Sequence, residues 1–98
     1  MNNRELITQT LSVQSEAIES LSDEKILNQI DKAARYINES AGITAFSGIG
    51  KSGDIARKLV STFNSIGEQS HYIHPVEELH GDIGIISEDS TVILISNS

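Results

Sequence analysis

Apolar residues recur at three- and four-residue spacings over residues 3–21, with Leu6, Ile7, Leu11, Ala17, Ile18 and Leu21 set against Glu5, Gln14 and Glu19. That period predicts an amphipathic helix. Ser22-Asp23-Glu24 follows, a cap followed by acidic groups that suit a helix N-terminus. The second helix this predicts carries Ile26, Ile30, Ala33, Ala34 and Ile37 on one stripe and stops near Gly42, a C-terminal breaker. The period then shortens. Ile43-Thr44-Ala45-Phe46-Ser47 is β-branched, apolar and followed by glycines, which predicts a buried strand.

Residues 48–53 read as a tight glycine loop. Ile55, Ala56, Leu59, Val60 and Phe63 then fall at helical spacing, ending at Gly67. Residues 69–73 predict a second strand closed by His74-Pro75, and residues 91–95 a third, after a polar loop. Strand, glycine loop, helix and strand make a βαβ unit, which implies a parallel sheet with a right-handed crossover. The expected strand order is 2-1-3. No internal repeat, linker or low-complexity tract interrupts the chain, and two segments are expected: a helical one over 1–41 and an α/β one over 42–98.

Composition narrows the function classes. Lys and Arg number 7 against 14 Asp and Glu, a formal charge of −7, which argues against a nucleic-acid or anionic-membrane surface. Without cysteine there is no disulfide framework, zinc-thiolate site or thiol nucleophile. The longest apolar run, residues 92–95, is far short of a membrane span, and the polar start has no signal-peptide core behind it. A soluble cytoplasmic chain with an aliphatic core is expected.

Chemistry concentrates in three places. A strand that delivers a glycine loop into a helix N-terminus aims backbone N–H groups and the positive dipole end at one spot, suited to a phosphate. Gly48 to Gly53 formally matches the dinucleotide fingerprint G-x-G-x-x-G, but no carboxylate stands at the end of the second strand; Glu68 and Glu77 flank it. Gly50-Lys51-Ser52 nearly meets the nucleotide-binding P-loop, whose first glycine would fall at Ala45 inside the strand. A single sugar phosphate or other small anion fits a loop this tight. A turn that merely permits close strand–helix packing is the plain alternative.

The second place is the segment holding His71, His74 and His80 with Glu77, Glu78 and Asp82. A divalent cation is conceivable there, but the spacing is not that of a helical histidine pair and no metal is expected. His80, in a loop at the sheet edge where open α/β sheets bind ligands, is a candidate acid, base or hydrogen-bond donor. The third place is Ser96-Asn97-Ser98, whose hydroxyls leave the last strand at that same edge. A polar strand end is its simpler explanation.

Ser47-Gly48-Ile49-Gly50-Lys51-Ser52-Gly53, then His74-Pro75-Val76-Glu77-Glu78-Leu79-His80-Gly81-Asp82-Ile83-Gly84, then Ile95-Ser96-Asn97-Ser98 together form a specific order. It resembles the sugar-isomerase (SIS) domain of arabinose-5-phosphate isomerases, from about residue 42 onward. The resemblance implies a flavodoxin-like parallel sheet and interconversion of ribulose 5-phosphate and arabinose 5-phosphate. That reaction feeds 3-deoxy-D-manno-octulosonate synthesis for lipopolysaccharide or capsule. It implies Lys51 and His80 as active-site residues, and Gly50, Ser52, Ser96 and Ser98 as phosphate-binding residues. It calls for no cofactor, and for a sugar phosphate as ligand.

Two departures follow from the resemblance. Asp54 stands where the family often has histidine, and its charge suits the helix while competing with a phosphate. The family pattern also continues past Ser98, so the acid/base glutamates, later strands, a further histidine and regulatory CBS domains are expected beyond it. The domain is therefore expected to be incomplete, keeping much of the phosphosugar pocket but lacking a competent proton-transfer set. A non-catalytic phosphosugar-binding or regulatory module is the alternative. The uncovered edge of the third strand predicts self-association, and a homo-oligomer is expected.

Overall fold

The computed structural model describes residues 1–77 and 83–97. Glu78, His80, Asp82 and Ser98, all singled out above, lie outside the described residues. The chain folds as two units, 1–35 and 36–98.

Helix α1 spans Asn3–Glu19, and the Asn2 side chain caps it by accepting from the Glu5 N–H at 2.8 Å. A short 3₁₀ turn, Ser20–Ser22, separates it from α2, Glu24–Glu39. Of the three residues expected to start that helix, Asp23 is the cap: its Oδ1 accepts from the Lys25 N–H at 3.0 Å. The Ser22 hydroxyl turns back to donate to the Glu19 carbonyl instead. Neither helix holds a buried residue, and the α1 stripe of Leu6, Ile7, Leu11 and Ile18 is exposed. Ile26 and Ile37 of α2 are half-buried.

The second unit is built on strand β1, Thr44–Ser47, which is buried at all four positions. It pairs in parallel with β2, Ser70–Tyr72, on one side and with β3, Thr91–Leu94, on the other, giving the expected order β2-β1-β3 in an open sheet. Paired on both sides, the strand keeps all four positions buried although Thr44 and Ser47 are polar. The ladder runs one residue past the strand ends: the Ile73 N–H donates to the Phe46 carbonyl and the Ile95 N–H to the Ser47 carbonyl, each at 2.9 Å.

Helix α3, Lys51–Ser65, crosses from β1 to β2. It begins earlier than its pattern suggests, so Lys51, Ser52 and Gly53 form its first turn and are not loop. Ala56 is fully buried, Leu59, Val60 and Phe63 are less so, and Phe63 meets Phe46 edge-to-face with ring centroids 5.0 Å apart. Ile55, expected on this stripe, is instead exposed. The far end of the helix is tied to β2 by Asn64, whose amide accepts from the Ser70 N–H at 2.8 Å and donates to the Ser70 carbonyl at 3.1 Å. Among the described residues no helix is long and apolar enough to cross a membrane.

Phe46 is the one large side chain less than 2% exposed among the described residues, so the packing of this unit hangs on it. Phe46→Ala is expected to lower stability by about 3–5 kcal/mol, since a phenyl-sized void is left against Phe63. Urea unfolding of the two proteins measures the difference; a loss below ~1 kcal/mol would contradict this account of the core.

Candidate functional site

The strand order makes a crevice. From β1 the chain crosses to β2 on one side, while β3 adds on the other, so the connections diverge at the carboxyl ends of β1 and β3. Open α/β sheets bind ligands at such a point. A cavity of about 540 Å³ lies there, lined by Ser47 and Gly48 at the end of β1, Ile49 and Ser52 beyond it, Pro75, Leu94 at the end of β3, and residues 95–97 after it.

The loop between β1 and α3 is only Gly48-Ile49-Gly50. Gly50 adopts φ +62°, ψ −129°, a region open essentially to glycine, and this lets the chain reverse into the helix in three residues. A Cβ on Gly53 would lie 2.7 Å from the Gly48 carbonyl oxygen, and one on Gly48 would lie 2.8 Å from the Ser52 carbonyl carbon. Strand and helix therefore touch through bare backbone. The Tyr72 hydroxyl, coming from β2, donates to that same Gly48 carbonyl at 2.8 Å.

Helix α3 starts with no side-chain cap. Its leading N–H groups and positive dipole end thus carry no side-chain oxygen, the arrangement in which helix termini hold anions. Asp54, the acidic residue of the first turn, is exposed and pairs with Arg57 at 3.6 Å. Arg57 in turn lies over the Tyr72 ring, its guanidinium carbon 4.2 Å from the centroid.

The expected site residues divide. Ser52, half-buried, and Ser96, exposed, line one cavity although 44 positions separate them. Gly50 and Lys51 are exposed at the loop and helix start and are not among the cavity-lining residues. His80 and Ser98 belong to the undescribed residues. Ser47 and Asn97 also face the cavity and were not expected there. Position alone marks Ser47, as the last strand residue before the glycine loop.

Two of the three histidines lie among the described residues. His71 is exposed on β2, and His74 Nδ1 accepts from the Val76 and Glu77 N–H groups at 3.1 and 3.2 Å, closing the turn at Pro75. Among the described residues no three His, Asp or Glu side chains gather as a metal site.

The profile of the SIS domain matches residues 39–98. The chain is 37% identical over 97 residues to uncharacterized protein RP505 of Rickettsia prowazekii, covering 99% of this chain and 30% of that protein. It is 40% identical over 92 residues to arabinose 5-phosphate isomerase KpsF of Escherichia coli, covering 94% and 28%. Among solved structures, E. coli CFT073 c3406 in complex with arabinose 5-phosphate superposes with a TM-score of 0.78 at 39% identity, over 100% of this chain and 53% of that one. The chain spans less than a third of the length of the curated relatives it matches.

The bare strand–helix contact yields a sign test. Gly→Ala inside a helix ordinarily stabilises by about 1 kcal/mol. At Gly53 the new methyl would meet backbone, which cannot rotate away, so Gly53→Ala is expected to destabilise by about 1–3 kcal/mol. Thermal unfolding gives the sign, and a stabilised variant would show that the loop is not held by this contact.

Proposed function

Because the chain belongs to the SIS domain family, we propose that it binds a phosphosugar in the cavity at the ends of β1 and β3. The ligand of this reading is a pentose 5-phosphate, and the reaction it serves is interconversion of ribulose 5-phosphate and arabinose 5-phosphate. One observation carries it. Ser52 at an uncapped helix start and Ser96 after β3 meet in a single cavity, in a chain that aligns along its whole length with a protein solved in complex with arabinose 5-phosphate.

The phosphate would take the N-terminal end of α3, where N–H groups and the dipole favour an anion, with the Ser52 and Ser96 hydroxyls as further donors. Ser98, next but one to Ser96, belongs to the same proposed set. The isomerisation itself moves a proton between adjacent carbons. A base removes it beside the carbonyl, an enediol forms, and an acid returns it to the neighbouring carbon. Lys51, in the first turn of α3, supplies an ammonium that can stabilise the developing oxyanion. His80 is the proposed proton carrier.

Two measurements separate the readings. Calorimetric titration of the chain with arabinose 5-phosphate is expected to show saturable binding, and its absence at millimolar ligand would sink the phosphosugar assignment. Arabinose 5-phosphate formed from ribulose 5-phosphate tests catalysis. Turnover that falls about 100-fold in Lys51→Ala supports the role given to that residue, and undiminished turnover removes it. Binding without turnover in the unaltered chain identifies a non-catalytic binding module.

β3 is an edge of the sheet and its Leu94 is 75% exposed, which supports the expected homo-oligomer. Light scattering at high protein concentration checks it, and a clean monomer would set the proposal aside.

A further inference from the structure

Among the described residues one fully buried side-chain polar atom lacks a hydrogen-bond partner, and it is a hydroxyl. Ser70, 3% exposed, donates from Oγ to the Val60 carbonyl at 3.2 Å and lies beside the Asn64 amide. Ser47 is equally buried, at 3%, yet its Oγ finds no hydrogen-bond partner among the described residues. A hydroxyl shut away from water without a partner is costly, and native structures rarely tolerate one without a reason. Alanine would fill the same strand position at no such cost.

The place of Ser47 supplies the reason. Side chains alternate along β1, so Ser47 faces away from the side on which Phe46 meets Phe63 of α3. It is in register with Leu94 of β3, and both line the cavity. Its own backbone carbonyl is already taken by the Ile95 N–H at 2.9 Å. Ser47 is thus a polar residue in a largely apolar cavity lining that includes Ile49, Pro75, Leu94 and Ile95. Few polar groups in a mostly apolar pocket are what orient a small ligand.

We infer that Ser47 is a substrate-binding residue whose hydroxyl hydrogen-bonds an oxygen of the sugar portion, not the phosphate. This rests on the phosphosugar reading above. The division follows from depth: Ser52 is half-buried and Ser96 exposed, while Ser47 is buried at the sheet end. A hydroxyl can donate one bond and accept two, so it matches either a sugar hydroxyl or a carbonyl oxygen.

Ser47→Ala tests the assignment, with arabinose 5-phosphate and inorganic phosphate as probes. The variant is expected to bind arabinose 5-phosphate about tenfold more weakly, to bind inorganic phosphate as the unaltered chain does, and to melt at the same or a higher temperature. Equal affinity of both proteins for arabinose 5-phosphate overturns the assignment and leaves the phosphosugar reading standing. A markedly lowered melting temperature also overturns it, by making Ser47 a packing residue. If the unaltered chain binds no sugar phosphate, the functional reading falls first and this assignment with it.

Discussion

The carbonyl oxygen of Gly48 occupies the place where a side chain at position 53 would have to begin. That exclusion sets how near α3 can lie to the end of β1, and it needs glycine on both sides of the contact. The rest of the site follows from it. With the helix start drawn against the strand end, its uncapped N–H groups stand beside the cavity, and Ser52 in its first turn becomes a wall residue. Tyr72 then locks the arrangement from the neighbouring strand by donating to the same carbonyl. Three elements, β1, α3 and β2, thus converge on one backbone oxygen.

Around this point the core is narrow. Among the described residues Ala45, Phe46, Ala56 and Ile73 are its buried apolar members, and Thr44, Ser47 and Ser70 share the burial. A parallel sheet this small must satisfy its polar groups locally, and it mostly does, through the Asn64 amide and the backbone of α3. The helical unit over 1–35 is held differently. Its helices are closed by local side-chain caps, at Asn2 and Asp23, and hold no buried residue.

Much of the architecture was legible from residue spacing. The change from a three-to-four period to a β-branched run marked β1, and the glycine loop followed by Ile55 to Phe63 marked a crossover helix and hence a parallel sheet. The start of α3 was not legible. Lys51-Ser52-Gly53 carries a glycine that reads as loop, and it is helical because close packing at position 53 outweighs poor propensity. Ile55 was misplaced because adjacent positions 55 and 56 both satisfy a loose helical period, and only tertiary contact chooses Ala56 for the sheet. Ser52 and Ser96 could be named from motif order, but that they line one cavity depends on the 2-1-3 order. The role of Tyr72 had no signature at all, since a bond across 24 positions leaves no trace in local pattern.

The bond from Tyr72 to Gly48 gives the molecule an optical property. The chain has no tryptophan and two tyrosines, Tyr36 and Tyr72. Tyr36 is 59% exposed, whereas the Tyr72 phenol is tied to the glycine loop and lies under Arg57. One of the two tyrosine emitters therefore sits against the loop that lines the cavity, its hydroxyl bonded to the loop itself. The protein carries a built-in spectroscopic reporter on the segment where strand, helix and ligand would meet.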